Sequence, residues 1–325
     1  IMPERRRPGQ LGVNDRAETA DREDAGPPVA GSRRIPVCRG RPVAEPQPIP
    51  PLRSDAYRAI AELVYRHTGI RLGPGKEYFA RARFGGLLRD LGCADWDEFV
   101  PAVTRRGRRA VEALIQAVVT PETSFFRDRA PFEALRNAIV PAFARGKPLP
   151  FRLRVWSAGC SHGQEPYSVV MCLWDLIETG RIVLDLLATD LSPRALERAR
   201  RAEYDDWELA RGLDAAARAR YFDPLPDGRA RVKEGVRRRV RFRRHNLVAE
   251  PPPDTGFHVV LCRNVGIYFG RETKAKLYRC LASALAPGGV LILGGAETLL
   301  SGLEGFRPEY HGRALVYRKT VEDGP

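Results

Sequence analysis

The spacing of apolar residues divides the chain into a helical part and a part that alternates strands with helices. Between about residues 54 and 144, apolar side chains recur every three or four positions, as they do on one face of a helix. One predicted helix has Ser54 as its N-cap and ends before Gly69, and a second covers residues 75–90. Further helical patterns cover residues 95–104, 108–118 and 131–144. No strand pattern separates them, which predicts an all-helical domain.

After residue 150 the pattern changes to short apolar runs that are typical of buried parallel strands. Such runs cover residues 151–156, 182–188, 257–262 and 290–293, and a further strand pattern covers residues 313–318. Helices between them are predicted to start at Glu165-Pro166 and at Ser192-Pro193. The irregular stretch at about residues 221–240 predicts a small inserted β element.

Together these patterns predict an α/β protein with a Rossmann-like sheet, an N-terminal all-helical domain and a small inserted β subdomain. Residues 1–52 are rich in Pro and Arg and poor in aliphatic clusters, so we expect a disordered tail there. The helical domain is predicted over residues 53–145 and the sheet domain over residues 146–320.

Charge and composition narrow the possible partners without selecting one. The net charge of +14 and the isoelectric point near 9.9 indicate an anionic partner, such as nucleic acid, a membrane surface or an acidic protein. The six cysteines form neither a CxxC pair nor a Cys/His ligand spacing, so we expect reduced thiols and no metal site. No apolar run is long enough to span a membrane, and the polar N-terminal segment does not resemble a signal peptide. We therefore expect a cytoplasmic protein.

The turn after the first strand is the strongest candidate for a ligand site. Gly159 and Gly163 permit a ligand to approach the backbone, and Asp190 at the tip of the next strand can bind the hydroxyls of a ribose. The glycines do not form GxGxxG, and Glu165 at the start of the helix would repel a pyrophosphate. A nucleoside cofactor that carries a cation, such as S-adenosylmethionine, fits these carboxylates better than a dinucleotide.

Other polar residues are predicted to gather at the same edge of the sheet. Arg263, Asn264 and Tyr268 follow the strand at residues 257–262, and Asn246 follows another predicted strand. The loop before the sheet domain places Arg127 next to two phenylalanines, whose rings could fix the cation near a substrate or cofactor. A helix N-terminus with a hydrophobic staple is the alternative interpretation of that loop.

Several short motifs occur in order along the chain. They are Thr123–Arg127, Arg154–Ser161, Glu165–Ser168, Ala188–Asp190, Asn246–Leu247, Cys262–Val265, Ile267–Phe269 and Pro287–Gly289. This series resembles the signatures of CheR-type chemoreceptor methyltransferases over about residues 54–318. The resemblance implies transfer of a methyl group from S-adenosylmethionine to receptor glutamates, which gives γ-methyl esters and S-adenosylhomocysteine.

The resemblance also implies roles for individual residues. The predicted cofactor-binding residues are Thr123, Arg127, Gly159, Glu165, Asp190, Asn246, Leu247, Arg263 and Asn264. Arg127 and Tyr268 would lie beside the transferring methyl group as the catalytic residues. The predicted receptor-binding residues are the cations Lys76, Arg81, Arg83 and Arg89 of the second helix. We expect a monomer that binds the cytoplasmic region of a chemoreceptor.

The chain departs from the family pattern at several positions. Pro121 stands where Asn is usual, His162 and Gln164 replace Thr and Glu, and Gly266 replaces a bulky apolar residue. A Gly-Ala-Glu run at residues 295–297 replaces Gly-His-Ser-Glu. The inserted β element is short and lacks the Gly-bearing loop of those family members that dock on a receptor's C-terminal pentapeptide, so we expect no such docking.

Two other functions would fit the same fold. A nucleic-acid methyltransferase would account for the net charge of +14, but the chain lacks the Asn/Asp-Pro-Pro-Tyr motif and the paired cysteines of such enzymes. A non-catalytic cofactor-binding module would account for the altered loop residues. Base-labile labelling of a receptor fragment would separate the first interpretation from both.

Overall fold

The computed structural model describes residues 48–119, 122–299 and 304–320. The predicted tail as far as residue 47, and the departure at Pro121, lie outside these ranges. Within them, no helix is long and apolar enough to cross a membrane.

The first part of the described chain is helical. Its elements are α1 (Ser54–Thr68), α2 (Glu77–Asp90), α3 (Phe99–Arg106) and α4 (Arg108–Val118). Ile60, Phe84 and Leu114 are fully buried in one shared core, which follows from the helical spacing of their apolar neighbours. Gly69 ends α1 in the left-handed conformation, as the sequence predicted. Ser54 is the first helical residue and Arg53 occupies the N-cap, so the predicted cap was one residue late.

The segment that follows packs with the sheet. It consists of α5 (Ala130–Ala134), a π-helical turn (Leu135–Ile139) and α6 (Val140–Ala144). Phe132 and Leu135 lie in the same core cluster as Leu153 of the first strand. Apolar periodicity grouped this segment with the N-terminal helices, because periodicity does not reveal which neighbour an apolar face will meet.

The remaining elements form a main sheet, which helices cover on both faces, and a small second sheet. They are β1 (Phe151–Ala158), α7 (Gln164–Cys172), α8 (Trp174–Glu178), β2 (Ile182–Asp190), α9 (Pro193–Arg201), β3 (Glu203–Tyr204), α10 (Asp206–Ala210), α11 (Ala215–Tyr221), β4 (Phe222–Pro224), β5 (Ala230–Val232), α12 (Glu234–Arg237), β6 (Val240–Arg244), β7 (Phe257–Cys262), a 3₁₀ turn (Gly266–Tyr268), α13 (Arg271–Ala284), β8 (Leu285–Leu293), β9 (Phe306–His311) and β10 (Ala314–Lys319). Their arrangement is the Rossmann-like fold that the strand and helix pattern predicted.

The main sheet has the order β6-β2-β1-β7-β8-β10-β9, with β10 antiparallel to both of its neighbours. The pairs formed by β6, β2, β1, β7 and β8 are parallel. Side chains of β1 alternate between two core clusters: Leu153 and Val155 face one layer, and Trp156 and Ala158 face the other. The strand order reverses between β1 and β7, and ligands of open α/β sheets bind at such a switch point.

A second sheet has the order β3-β5-β4 and is inserted between α9 and α12. Two of its strands, β4 and β5, lie within the insertion predicted at residues 221–240. The third, β3, consists of two residues that come earlier in the chain. Phe222 of β4 packs on Phe125 at a ring distance of 5.4 Å. The insertion therefore supports the loop that carries Arg127.

Candidate active site

A cavity of about 860 Å³ opens at the switch point of the main sheet. Its floor is formed where β1, β2, β6 and β7 end, and one wall comes from the end of α1 and from α4. The predicted cofactor and catalytic residues all line it: Thr123, Arg127, Gly159, Glu165, Asp190, Asn246, Leu247, Arg263, Asn264 and Tyr268. The predicted receptor-binding cations lie elsewhere, exposed at or on α2.

The turn after β1 lies close to the loop after β7. Gly159 has φ +85°, and a Cβ atom added there would meet a methyl group of Val265 at 2.5 Å. Any side chain at this position would therefore strain the backbone and displace the loop after β7. The glycine keeps the floor of the cavity open between β1 and β7.

Asp190 ends β2 with its carboxylate at the cavity wall. Its two oxygens accept the backbone N–H groups of Ser161 at 2.8 Å and of Ser192 at 2.9 Å. Burial raises the pKa of Asp190, while the same two N–H groups lower it. Each carboxylate oxygen retains a second lone pair, so Asp190 can also accept a hydroxyl group of a ligand.

Ser161 was not predicted as a site residue. It lines the cavity, and its Oγ is buried and has no hydrogen-bond partner among the described residues. A buried hydroxyl without a partner is costly and indicates that a polar ligand group completes it. Serine is common in such turns, so only the structure identifies this one.

Glu165 and Arg263 form a buried ion pair on the floor of the cavity. Glu165 Oε2 lies 3.3 Å from Arg263 Nη1, and Glu165 Oε1 accepts from Ser157 Oγ at 2.7 Å. The Arg263 side chain is only 2% exposed. Arg263 Nη2 also donates to the Arg127 carbonyl at 2.6 Å and contacts Asp128 at 3.0 Å. One buried cation thus links the helix after β1 to the loop of Arg127.

The loop of Arg127 is fixed by its two aromatic rings, as the sequence suggested. Phe125 is 1% exposed and lies edge-on to Tyr204 at 4.9 Å, and Phe126 packs edge-on to Phe132 at 5.3 Å. The backbone N–H of Phe126 donates to Ser168 Oγ at 2.9 Å. The Arg127 guanidinium donates to the Glu122 carbonyl at 2.9 Å and faces the cavity with Thr123.

The loop after β7 is organised around Glu297. Glu297 Oε2 accepts the backbone N–H groups of Asn264 and of Gly294, the latter at 2.9 Å. A Cβ atom added at Gly266 would lie 3.0 Å from Glu297 Oε1 and 3.2 Å from the Tyr278 hydroxyl. The missing side chain at Gly266 thus leaves room for the carboxylate that positions Asn264, and Tyr268 follows two residues after this glycine. Tyr268 itself is 42% exposed at the mouth of the cavity.

His162 is neutral at physiological pH. Its Nδ1 lies 3.0 Å from Nη1 of Arg198, whose other nitrogen pairs with Glu208 at 2.6 Å. Burial, together with the charges of Arg198 and Arg194, lowers the pKa of His162 to about 4. The neutral ring therefore accepts from Arg198, and the His162 carbonyl accepts from the Tyr204 hydroxyl at 2.7 Å. The replacement of Thr by His at this position adds a contact to α9.

The helical domain completes the cavity, which the sequence did not reveal. Thr68 and Ile70, at the end of α1, line it together with residues of the sheet domain. Asn246 Nδ2 donates to the His67 carbonyl at 3.1 Å, and the Asn246 side-chain oxygen accepts from Val248 N–H at 3.2 Å. No motif marks Thr68 or Ile70, because their role follows from docking of the two domains.

Comparison with known proteins matches both parts of the chain to one family. Residues 121–310 match the domain described as "CheR methyltransferase, SAM binding domain", and residues 55–119 match "CheR methyltransferase, all-alpha domain". The chain belongs to the CheR methyltransferase family. The predicted cofactor, S-adenosylmethionine, and the predicted methyltransferase activity are confirmed by these matches.

Curated relatives agree with this assignment. A protein named chemotaxis protein methyltransferase Cher2, from Pseudomonas putida, is 40% identical over 71% of this chain and 86% of its own length. A chemotaxis protein methyltransferase from Vibrio parahaemolyticus is 35% identical over 81% of this chain and 96% of its own length. Neither the nucleic-acid enzyme nor the non-catalytic module is favoured by these CheR relatives.

The residues of the cavity fit S-adenosylmethionine. Two carboxylates, Glu165 and Asp190, face a cavity of the size that small-molecule cofactors occupy. The Ser161 hydroxyl, which has no hydrogen-bond partner in the part of the chain that the structure describes, lies beside Asp190 and can bind a second hydroxyl group of the cofactor. A buried site with such acceptors suits a cationic nucleoside better than a polyphosphate.

Proposed function

We propose that this CheR-family enzyme methylates glutamate side chains in the cytoplasmic region of a chemoreceptor. The supporting observation is that Arg127, Glu165, Arg263 and Tyr268 line one cavity in a chain whose relatives are named chemotaxis protein methyltransferases. The products are a γ-glutamyl methyl ester and S-adenosylhomocysteine.

The substrate needs no general base. A glutamate side chain has a reference pKa near 4.3, so it is already ionised at neutral pH. Bound S-adenosylmethionine supplies a methyl group on a positively charged sulfur. A receptor carboxylate would accept this methyl group, and the sulfur would keep the electron pair of the carbon–sulfur bond. No proton is transferred, and the task of the protein is alignment and exclusion of water.

Different residues of the cavity would bind different parts of the cofactor. Asp190 and Ser161 would bind the ribose hydroxyls, and Glu165 would bind the amino group of the cofactor. Asn246 and Leu247, after β6, and Thr123, on the Arg127 loop, would contact its other parts. The Arg263 ion pair fixes the orientation of Glu165 before any ligand arrives.

Arg127 and Tyr268 would act at the methyl end. Arg127 is held at its backbone by Arg263 and at its guanidinium by the Glu122 carbonyl, with other donors free to reach a carboxylate. A full ion pair with the attacking oxygen would weaken that nucleophile, so we infer that Arg127 contacts the second oxygen. Tyr268 at the cavity mouth would orient the methyl group and exclude water.

The exposed cations Lys76, Arg81, Arg83 and Arg89 would attract the acidic receptor surface. The inserted sheet has strands of only two or three residues, so we still expect no pentapeptide tether.

The test is transfer of labelled methyl groups to a chemoreceptor cytoplasmic fragment. We expect label that is released by mild base, because carboxyl methyl esters hydrolyse readily, and none on a fragment whose target glutamates are replaced by alanine. Arg127→Ala should lower kcat/KM at least tenfold, whereas Arg145→Ala, an exposed arginine outside the cavity, should leave it unchanged. Base-stable label, or label in added RNA instead, would refute the proposal.

A further inference from the structure

A shallow groove lies outside the cavity, between α10 and the loop of Arg127. Trp207, Arg211 and Gln164 line only this groove. The residues that line both the groove and the cavity are Glu122, Thr123, His162, Arg198, Asp205 and Glu208. Because so many residues are shared, the groove leads directly into the cavity on the side of the Arg127 loop.

Trp207 is 65% exposed, whereas Trp96 and Trp156 are buried. The Arg211 guanidinium stacks on its ring at 4.7 Å and lies 3.7 Å from Glu122, whose side chain is itself largely exposed. An exposed tryptophan leaves much apolar surface in water, and tryptophan and arginine are the side chains that most often dominate binding interfaces. The pair thus has the composition of a binding surface.

The backbone beneath this pair is rigid. Asp205 and Glu208 form a reciprocal capping box at the start of α10, and Leu209 is buried. At the other end, Gly212 has φ +138°, and a Cβ atom there would lie 1.9 Å from the Phe125 carbonyl oxygen. The Gly212 carbonyl also accepts from Arg129 at 3.2 Å. Trp207 is therefore exposed on a segment whose position is fixed relative to the Arg127 loop.

Five charged side chains line the groove: the acidic Glu122, Asp205 and Glu208, and the basic Arg198 and Arg211. Asp205 caps α10 by accepting the backbone N–H of Glu208 at 2.8 Å. Arg198 is paired with Glu208 at 2.6 Å, and the ring of His162 carries no charge at neutral pH. Among the described residues, the carboxylate that Arg211 meets is that of exposed Glu122, at the long distance of 3.7 Å. The N–H groups at the edge of the guanidinium can therefore donate to a carboxylate of a partner. A polypeptide with an apolar and an acidic side chain near its target glutamate would satisfy both members of the pair.

We propose that Trp207 and Arg211 form a docking platform for the receptor polypeptide immediately beside the methylated glutamate. Trp207 contacts an apolar side chain of that segment and Arg211 contacts an acidic one, so the platform contributes to the choice of glutamate. This inference rests on the proposed function, because it takes the receptor segment as the occupant of the groove.

The test measures binding of a receptor fragment and binding of S-adenosylhomocysteine separately, on the full chain. Calorimetry gives the Kd of a receptor cytoplasmic fragment for protein saturated with S-adenosylhomocysteine, and also the Kd of S-adenosylhomocysteine alone. We expect Trp207→Ala to raise the Kd of the fragment about tenfold or more, Trp207→Phe and Arg211→Ala to raise it less, and cofactor affinity to stay within twofold. Tyr310→Ala is the matched control, because Tyr310 is 74% exposed and lines neither the cavity nor the groove.

The outcomes separate the platform from the proposed activity. Fragment affinity within twofold of wild type in folded Trp207→Ala, or an equal loss of cofactor affinity, would overturn the platform. If wild type binds the fragment without transferring label, the proposed activity is wrong. The Kd values of the variants for the fragment then still show whether Trp207 and Arg211 form a docking platform. If wild type binds no receptor fragment, the platform is overturned as well. Trp207→Phe, which keeps an aromatic ring, gives a second folded variant if the alanine variant is unstable.

Discussion

Arg263 and the four cations at or on α2 carry the same charge in opposite surroundings. The Arg263 side chain is 2% exposed and is held by Glu165, Asp128 and a backbone carbonyl. The α2 group, Lys76, Arg81, Arg83 and Arg89, is exposed. A buried cation without its partners would be costly, so its geometry is determined before a ligand binds. An exposed cation acts on a partner at longer range, which suits attraction of that partner rather than alignment of atoms.

Replacement of Arg263 should have the largest effect on stability. In Arg263→Met, Glu165 would keep a carboxylate on the cavity floor with no cation beside it, and we expect the free energy of unfolding to fall by about 3–5 kcal/mol. Urea denaturation measures this change. The double variant Arg263→Met/Glu165→Gln should recover part of the loss, because it removes both charges. A loss below about 1 kcal/mol would show that solvent, and not Arg263, compensates Glu165.

Replacement of Glu165 alone should affect the cofactor more than the fold. Glu165→Gln keeps the contact to Ser157 but removes the negative charge, and we expect the Kd of S-adenosylhomocysteine to rise about 10- to 100-fold. Calorimetric titration gives this value. Glu112→Gln, on α4 and outside the cavity, should change it by less than twofold. An unchanged Kd in Glu165→Gln would remove Glu165 from the cofactor site.

His162 should make stability depend on pH. Its pKa is about 4 in the folded chain against an ordinary value of 6.5, so the unfolded chain takes up a proton at higher pH than the folded one. The contribution of the neutral ring is complete above pH 6.5 and is lost as the pH falls toward 4. After allowance for solvent around the partly exposed ring, we expect a loss of about 1–2 kcal/mol, measured by urea denaturation across this range.

The matched variant is His162→Asn, whose side-chain oxygen can accept from Arg198 but does not titrate. Its stability should fall less than that of wild type between pH 6.5 and pH 4. Parallel curves for the two proteins would assign the acid sensitivity to other groups.

Charge reversal at Lys76, one of the exposed cations at α2, should have the smallest effect on the fold. Lys76→Glu places a carboxylate at the N-terminus of α2, and we expect the free energy of unfolding to change by less than about 0.5 kcal/mol. The KM for a receptor fragment should rise severalfold at low salt and less at high salt, because exposed charges are screened. Lys147→Glu, in an exposed turn of the sheet domain, is the control. A salt-independent change would contradict an electrostatic role for α2.

The residues predicted from motifs share one property, which explains why they could be found. Each of them ends or follows a strand whose apolar run can be recognised in the sequence: Gly159, Asp190, Asn246 and Arg263. Parallel strands bring their carboxyl ends to one edge, so the order of motifs is sufficient to predict their convergence. The ion pair that joins Glu165 to Arg263 was not predicted, because it depends on side-chain orientation.

The features that the sequence did not reveal depend on how separate segments meet. Thr68 and Ile70 join the cavity through docking of the helical domain, and residues 130–144 pack on the sheet although their periodicity is that of any amphipathic helix. Trp207 gave no signal, since a tryptophan in an irregular stretch is more often buried than exposed.

The contact between Asn246 and His67 has a consequence for how the sequence of this protein can evolve. The helical domain contributes a main-chain carbonyl to that contact, together with the turn at Gly69, where an added Cβ atom would meet Val248 at 2.8 Å. Every amino acid at position 67 offers the same carbonyl. The exposed faces of the N-terminal helices can therefore acquire new side chains while the cavity keeps its shape as long as Gly69 and Asn246 remain.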